Sequence, residues 1–192
     1  DIWRDNAPKS ILEIAHKYTE NGQKKLANLA VLNSLSKRSN AAGLRAGFLC
    51  ADPDVILSYS KIAANGLALV PTPLLNVSAE IYRDTIHNKM VREHYNKAFK
   101  IAGQYLNCSI PDAGFFLWLP VGDDIKCTKL LWEQMAIKVI PGSYMAVSNN
   151  GINPASGYIR IAMVHRLDII EEAMKRLQRF FQNIWQEHQI ND

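Results

Sequence analysis

The sequence of 192 residues has few cysteines, no long apolar run and no block of like charges. Its three cysteines, Cys50, Cys108 and Cys127, are odd in number, widely spaced and set among apolar residues. This distribution argues against a disulfide framework and predicts a reducing compartment, the cytoplasm. The cysteines and the five histidines show no metal-ligand spacing, so we expect no metal site.

No apolar run approaches the roughly 18 residues that a membrane-spanning helix needs, so we expect no membrane segment. The net charge is +4 and the pI is near 8.9, and the lysines and arginines are scattered along the chain. Without a basic block, binding to nucleic acid is not expected. Apolar residues make up 48% of the sequence, which is enough for a substantial core and argues against disorder.

Strands and helices are predicted to alternate along the chain, which is typical of an α/β protein. Short apolar runs predict strands at 26–36, 47–51, 114–120, 139–142 and 158–164. Capped or amphipathic segments predict helices at 10–22, 52–66, 79–106, 128–138 and 167–188. Ser10 and Asp52 are the predicted N-caps of the first two helices. The first strand is expected to be buried. We place a domain boundary inside the long helix, which gives domains 1–95 and 96–192.

The stretch NSLSKRSNAAGLRAGF, residues 33–48, concentrates positive charge with no acidic residue. Such a cluster repels itself unless an anion lies in it or its charges reach water. Arg45 offers a planar fork suited to two phosphate oxygens, and Ser34 and Ser36 offer hydroxyl donors at the end of a strand. The composition leaves two interpretations open, an ordinary basic surface loop and a phosphate site.

Lys37 lies in the middle of this predicted loop. A phosphate held there would bring a tethered aldehyde within reach of the lysine amine, and an imine with pyridoxal phosphate is the known outcome of that combination. We expect Gly43 and Gly47 to let the backbone bend on either side of Arg45. Arg38 is expected to be a surface charge.

The order Ser34-Leu-Ser36-Lys37, with Arg45 eight residues after the lysine and then Gly47, resembles the cofactor-lysine motif of one enzyme family. This family is the fold-type-I pyridoxal-phosphate aminotransferases of classes I and II. The resemblance implies that Lys37 is the catalytic residue that binds pyridoxal 5′-phosphate covalently. It also implies that Ser34 and Arg45 bind the cofactor phosphate, with Ser36 as a weaker candidate.

The segment GYIRIAMV, residues 157–164, looks like the C-terminal strand of the same family. That strand carries an arginine that binds the substrate α-carboxylate, which implies this role for Arg160. Strand alternation puts Tyr158, Arg160, Ala162 and Val164 on one face, so the arginine is a lone charge in an apolar strand and needs an anion. From the residues alone, that anion is either a substrate carboxylate or a protein carboxylate.

The segments PDAGFFLWLP and VIPGSYM also look like the small domain of this family. The resemblance covers nearly the whole chain but only the second half of the family. It implies that 1–95 is the C-terminal part of the cofactor-binding large domain with the start of the interdomain helix, and that 96–192 is the small α/β domain. It further implies amino-acid and 2-oxo-acid substrates and a homodimer. We expect these residues alone to expose apolar large-domain surface and to bind the cofactor poorly.

The sequences of these segments are most similar to those of the succinyldiaminopimelate aminotransferases of bacterial lysine biosynthesis. That similarity implies N-succinyl-diaminopimelate as amino donor and 2-oxoglutarate as acceptor. Ala41-Ala42 stand where the pattern has Leu-Pro, which touches no functional position. Three alternatives stay open: another fold-type-I aminotransferase such as an aspartate-type enzyme, a C–S lyase of the same fold, and an inactive gene remnant or non-enzymatic module.

Overall fold

The computed structural model describes residues 1–18, 29–66 and 70–185 of the chain. The chain divides into two units, Asp1–Arg92 and Glu93–Asp192, and each unit has a β-sheet of its own. In the described ranges no helix is both long enough and apolar enough to cross a membrane. Those ranges also contain no group of three or more metal-ligating side chains that could hold an ion.

The first unit is built around two antiparallel strands, β1 (Ala30–Ser34) and β2 (Gly47–Ala51), in which Ser34 lies opposite Gly47. Its helices are α1 (Ile11–Tyr18), the one-turn helix α2 (Leu35–Arg38), α3 (Pro53–Gly66), α4 (Thr72–Arg83) and the first two turns of α5 (Thr85–Tyr105). Both predicted strands are therefore present, and the connection between them contains a helical turn.

Two of the predicted helix caps are formed. The Ser10 hydroxyl oxygen accepts a hydrogen bond from the backbone N–H of Leu12 at 3.2 Å, and α1 begins at the next residue, Ile11. The Asp52 carboxylate accepts a hydrogen bond from the N–H of Asp54 at 3.1 Å, one residue before α3 begins. Each side chain satisfies an N–H that the first helical turn leaves without a partner. The predicted end of the first helix at 21–22 lies outside the described residues.

The prediction of a single helix over 79–106 is wrong, because the chain forms two helices that meet at Asp84. Asp84 has an extended backbone, with φ −74° and ψ 93°, and its N–H bonds to the carbonyl of Glu80 to close α4. Its carboxylate accepts a hydrogen bond from the N–H of His87 at 2.8 Å and so caps α5. The break contains neither glycine nor proline, so periodicity continues across it in the sequence.

The first strand was predicted to be buried, but it is largely exposed. Leu32, in the middle of β1, is 77% exposed, and Phe48 in β2, Ile62 in α3 and Ile86 in α5 are also exposed. A two-stranded sheet buries little of its own surface, and apolar surface of this extent is what the resemblance led us to expect of this part of the chain.

The second unit packs helices on a three-stranded antiparallel sheet of order β3-β5-β4. The strands are β3 (Phe116–Pro120), β4 (Ile140–Pro141) and β5 (Tyr158–Ala162), and the helices are the rest of α5, α6 (Asp124–Met135) and α7 (Leu167–Arg179), which continues as a π-helical segment, Phe180–Trp185. The buried core includes Phe99, Leu117, Leu131, Ile159, Met163, Met174, Leu177 and Phe180. Burial of each large side chain stabilises the unit by about 1.5–3 kcal/mol.

Cys127 is fully buried in this second core. Burial, together with the nearby charges of Asp123 and Asp124, raises the pKa of its thiol to about 12. The thiol therefore stays neutral at physiological pH and serves packing. All three cysteines are free, in keeping with the absence of a disulfide framework in the sequence.

Candidate active site

Lys37 lies in the one-turn helix α2, directly after β1. We call residues 34–47 the lysine turn. Its position is set by Leu35, which is fully buried and whose N–H donates to the carbonyl of Ala46 at 3.2 Å. The Leu35 carbonyl in turn accepts the N–H of Ser39 at 3.1 Å and that of Ala41 at 3.3 Å. The predicted irregular loop is thus an ordered turn around one buried leucine.

The two serines of the motif share a hydrogen-bonded pair at the start of α2. Ser34 is extended, with φ −142° and ψ 139°, and its hydroxyl oxygen accepts the N–H of Ser36 at 3.2 Å as a helix cap. The same hydroxyl lies 3.0 Å from the Ser36 hydroxyl and 3.5 Å from the carbonyl of Ala46. Ser34 is exposed and Ser36 is half-buried, so both hydroxyls can be reached from solvent.

Arg45 has the left-handed backbone conformation, with φ 51°, at the end of the 3₁₀ turn Ala42–Leu44. Its side chain is exposed, and Nη1 donates to the carbonyl of Ala42 at 2.8 Å. Across the described ranges no carboxylate forms an ion pair with this guanidinium, and Ala42 is the only hydrogen-bond acceptor that it has. Most of the Arg45 donors are therefore free to bind an anion.

The two glycines near Arg45 do not act as the sequence suggested, because Arg45 itself adopts the left-handed conformation. Gly43 has open space around it, and a side chain there would touch nothing within 4 Å. Gly47 is needed for close approach instead. A Cβ atom on it would lie 2.3 Å from the carbonyl oxygen of Asn33 on the paired strand.

We expect Gly47→Ala to destabilise the protein by about 1–3 kcal/mol, because the new Cβ would force β1 and β2 apart. The matched variant Gly43→Ala lies in the same turn and should change stability by no more than about 0.5 kcal/mol. Thermal unfolding of both variants of the full-length protein measures the difference. Equal melting temperatures for the two variants would contradict the close approach at Gly47.

Arg38 is not the surface charge that the sequence suggested. Its side chain is only 13% exposed, and it donates to the carbonyls of Ile81 at 3.1 Å and Tyr82 at 2.9 Å. Both carbonyls belong to the last turn of α4, which carries the negative end of the helix dipole and attracts a cation. The sequence held no signal for this contact, since its partners lie 43 and 44 residues away.

Arg160 lies in β5, the central strand of the sheet in the second unit, opposite Trp118 of β3. Its guanidinium carbon lies 4.4 Å from the centre of the Phe116 ring. The rings of Trp118 and Tyr158 stack on each other, with their centres 5.4 Å apart. These side chains share the half-exposed face of the sheet. Among the residues that the structure describes, no protein carboxylate pairs with Arg160, so its charge is available to a ligand.

Asp124 is a buried carboxylate whose structural role the sequence did not indicate. Its carboxylate is buried and accepts the N–H and the hydroxyl of Ser143, at 2.7 Å and 2.9 Å, and the N–H of Gly157 at 3.3 Å. Ser143 follows β4, and Gly157 precedes the strand that carries Arg160. The carboxylate therefore joins the two ends of the 143–157 segment. The only signal was Asp123-Asp124 ahead of an apolar helix, the pattern of a helix cap.

Burial by itself would raise the pKa of Asp124, but the hydrogen bonds from Ser143 and Gly157 outweigh it and lower that pKa below its usual range. A carboxyl with a lowered folded-state pKa stabilises the fold above its unfolded pKa, about 3.9, and loses this contribution as the pH falls through the folded value. The stabilisation by Asp124 should therefore be complete near neutral pH.

We expect Asp124→Asn to cost about 1.5–3 kcal/mol at pH 7, because hydrogen bonds to a buried charge are lost. The difference from the wild-type protein should shrink as the pH falls below about 4, where the wild-type carboxyl itself becomes protonated. Urea unfolding at several pH values measures this. Asp168→Asn removes an exposed carboxylate and serves as control. A cost that does not change with pH would contradict the charged state of Asp124.

The predicted residues fall into two groups. Ser34, Ser36, Lys37 and Arg45 come together in the lysine turn of the first unit, whereas Arg160 lies in the sheet of the second unit. The first group combines an amine, two hydroxyls and an available guanidinium, which suits a phosphorylated aldehyde. The second site combines a guanidinium with aromatic rings, which suits a carboxylate on an organic molecule.

Comparison with known proteins gives consistent matches. The model of the family "Aminotransferase class I and II" matches residues 10–177. An aminotransferase structure from Neisseria meningitidis aligns with a TM-score of 0.79 at 32% identity and covers 91% of this chain and 45% of its own. The LL-diaminopimelate aminotransferase of Moorella thermoacetica is 28% identical over 162 aligned positions, and the alignment covers 77% of this chain and 38% of that protein.

The aspartate aminotransferase of Bacillus subtilis is 24% identical over 198 aligned positions, and the alignment covers 88% of this chain and 47% of that enzyme. The chain thus spans less than half the length of each of these three proteins.

Proposed function

The chain belongs to the class I and II aminotransferase family, and from this we propose that the protein containing it transfers amino groups between amino acids and 2-oxo acids. The observation that carries the proposal is the lysine turn, where Lys37 shares one ordered turn with two hydroxyls and with Arg45, which has no acidic partner in the part of the chain that the structure describes. An ordinary basic surface loop accounts for the charges, but not for the matching order of residues or for the fold.

Members of this family use pyridoxal 5′-phosphate, and the residues of the lysine turn fit this group. Its phosphate is an anion that needs several hydrogen-bond donors. Arg45 keeps most of its donors free, because within residues 1–18, 29–66 and 70–185 only Nη1 is bonded, and Ser34 and Ser36 add hydroxyls at the same turn. We assign Ser34 and Arg45 to the phosphate and Lys37 to the aldehyde carbon, with Ser36 as a secondary donor.

The residues of this chain then have separate roles in the reaction. The bound cofactor supplies an electron sink for the negative charge that develops on the substrate α-carbon. Lys37 takes the proton from that carbon as a general base and returns a proton as a general acid. Arg160 binds the α-carboxylate with two parallel hydrogen bonds and so orients the C–H bond that breaks.

We propose N-succinyl-diaminopimelate as the amino donor and 2-oxoglutarate as the acceptor. The support is the resemblance of the motif segments, together with similarity to an LL-diaminopimelate aminotransferase, whose name specifies the same diaminopimelate skeleton. The similarity to an aspartate aminotransferase favours aspartate as the second candidate.

The test is a comparison of kcat/KM for three donors, with 2-oxoglutarate and pyridoxal phosphate supplied to the full-length protein. We expect N-succinyl-LL-diaminopimelate to exceed both LL-diaminopimelate and aspartate by at least about tenfold, which is about 1.4 kcal/mol of transition-state binding. A higher value for aspartate would contradict the donor assignment. Release of pyruvate and ammonia from a thioether amino acid such as cystathionine, with no 2-oxo acid added, would identify a C–S lyase, and no reaction with any donor would contradict amino transfer.

We further propose a homodimer, as is usual in the family, in a cytoplasmic protein. The location is supported by the three free cysteines, since a reducing compartment keeps such thiols unpaired.

A further inference from the structure

We propose that Arg38 is a positioning residue for Lys37. Its guanidinium holds the one-turn helix α2 against the end of α4 and thereby fixes the point from which the Lys37 side chain leaves the backbone. This inference rests on the role proposed for Lys37, and it adds a residue that does not touch the cofactor or the substrate.

The donors of Arg38 are committed to the protein. Nη1 donates to the carbonyl of Ile81 and to the hydroxyl of Ser39, both at 3.1 Å, and Nη2 donates to the carbonyl of Tyr82 at 2.9 Å. With its amide turned to satisfy both groups, Asn88 accepts a further bond from Nη2 at 3.1 Å and donates to the Arg38 carbonyl. Arg38 therefore bonds to α4, to α5 and to its own turn.

Tyr82 lies in the last turn of α4 and links that turn to β1. The Arg38 guanidinium carbon lies 5.2 Å from the centre of the Tyr82 ring, and the Tyr82 hydroxyl donates to the side-chain oxygen of Asn33 at 3.1 Å. Burial raises the pKa of this hydroxyl and the charge of Arg38 partly offsets that rise, so the hydroxyl keeps its proton and stays a donor. The lysine turn is thus held on both sides of Lys37, through Asn33 before it and Arg38 after it.

The charge of Arg38 is satisfied mainly by neutral carbonyls. The Asp1 carboxylate approaches Nε only to 3.8 Å, and elsewhere in the described ranges no acidic side chain pairs with Arg38. A cation that is 13% exposed and bonded in this way is unavailable to a ligand phosphate. The planar fork of arginine holds its donors in a fixed geometry toward two successive carbonyls, whereas the lysine ammonium carries three rotatable donors on one nitrogen.

A four-residue helix has no stability of its own, so tertiary contacts must hold α2 in place. A displacement of a reacting group by about 1 Å can lower a rate by about 10²-fold. Loss of the Arg38 contacts should therefore slow the reaction of the Lys37 amine with an aldehyde. It should leave the phosphate contacts proposed for Ser34 and Arg45 nearly unchanged, because in the described residues no hydrogen bond joins the Arg38 side chain to either of them.

Two cofactor forms separate these effects in the full-length apo-protein. Pyridoxal phosphate reacts with the Lys37 amine, and borohydride makes this attachment permanent. The rate at which Lys37 becomes labelled therefore measures the reactivity of its amine. Pyridoxamine phosphate has the same phosphate without the aldehyde and reports the phosphate site through its Kd. For Arg38→Met we expect the rate to fall by about 10- to 100-fold, with the Kd changed by less than about threefold. The labelling rate of Arg38→Lys should lie between that of Arg38→Met and that of the wild-type protein.

Arg83→Met is the matched control, because Arg83 lies at the end of α4, the helix that Arg38 contacts, is 72% exposed and, among the described residues, pairs with Glu80 alone. It should behave as the wild-type protein. If Arg38→Met does not fold, Arg38→Lys, which keeps the charge, decides the question by the same two measurements.

An unchanged rate in the Arg38 variants would overturn the positioning role while leaving the proposed function intact. An equal loss of rate and of pyridoxamine phosphate affinity would also overturn it, since that result describes a general loss of structure. If the wild-type protein is not labelled at Lys37, the proposed function fails, and the role of Arg38 fails with it.

Discussion

Lys37→Ala will lower kcat for amino transfer by at least about 10³-fold in the full-length protein, because the variant loses the group that moves the proton at the substrate α-carbon. General acid–base catalysis alone contributes about 10²- to 10⁴-fold, and the covalent bond to the cofactor is lost as well. Steady-state and single-turnover rates with saturating pyridoxal phosphate measure the effect. Added methylamine should restore part of the rate in the variant, since a free amine can replace the missing base.

Lys61→Ala is the control for this experiment, because Lys61 is an exposed lysine on α3 of the same unit. It should keep the wild-type rate. A Lys37→Ala protein with activity within tenfold of wild type would refute the catalytic assignment of Lys37. A loss shared by Lys61→Ala would show instead that the unit tolerates substitutions poorly.

Arg160→Met will lower kcat/KM for the amino-acid donor by about 10²- to 10³-fold, or ~3–4 kcal/mol. Two hydrogen bonds to a carboxylate, each of about 1.5–3 kcal/mol, account for a loss of this size. The sharper readout is discrimination between the donor and the corresponding amine without the α-carboxylate. The wild-type protein should favour the amino acid strongly, whereas the variant should treat the two alike.

Arg166→Met provides the control for Arg160, since Arg166 lies in the same unit, is 84% exposed and pairs with Asp168. Its kinetics should match the wild-type protein. Because Arg160 also lies over the Phe116 ring, a small loss of stability, about 0.5–1 kcal/mol, is expected on top of the kinetic effect. Preserved discrimination against the amine in Arg160→Met would argue against carboxylate binding by this residue.

Much of the lysine turn could be predicted from the sequence because its information is local. The two strands, the caps at Ser10 and Asp52 and the grouping of Ser34, Lys37 and Arg45 depend on residues within about a dozen positions of one another. The alternation of β5 likewise predicted that Arg160 shares a face with Tyr158, and the pattern of burial in that strand agrees.

The features that the sequence did not predict depend on long-range contacts. Arg38 is buried only because the end of α4, more than 40 residues away, presents two carbonyls to it. The break at Asp84 interrupts a pattern of apolar residues that continues on both sides. Gly43 and Gly47 look alike in sequence, and only the pairing of β1 with β2 makes Gly47 the one that cannot carry a side chain.

The proposed mechanism depends on a covalent bond between the amine of Lys37 and pyridoxal phosphate. The most direct measurement is borohydride reduction of the cofactor-loaded full-length protein, followed by proteolysis and mass spectrometry of the peptides. We expect one modified peptide, which carries the reduced pyridoxyl phosphate on Lys37. A modification on another lysine, or on none, would contradict it.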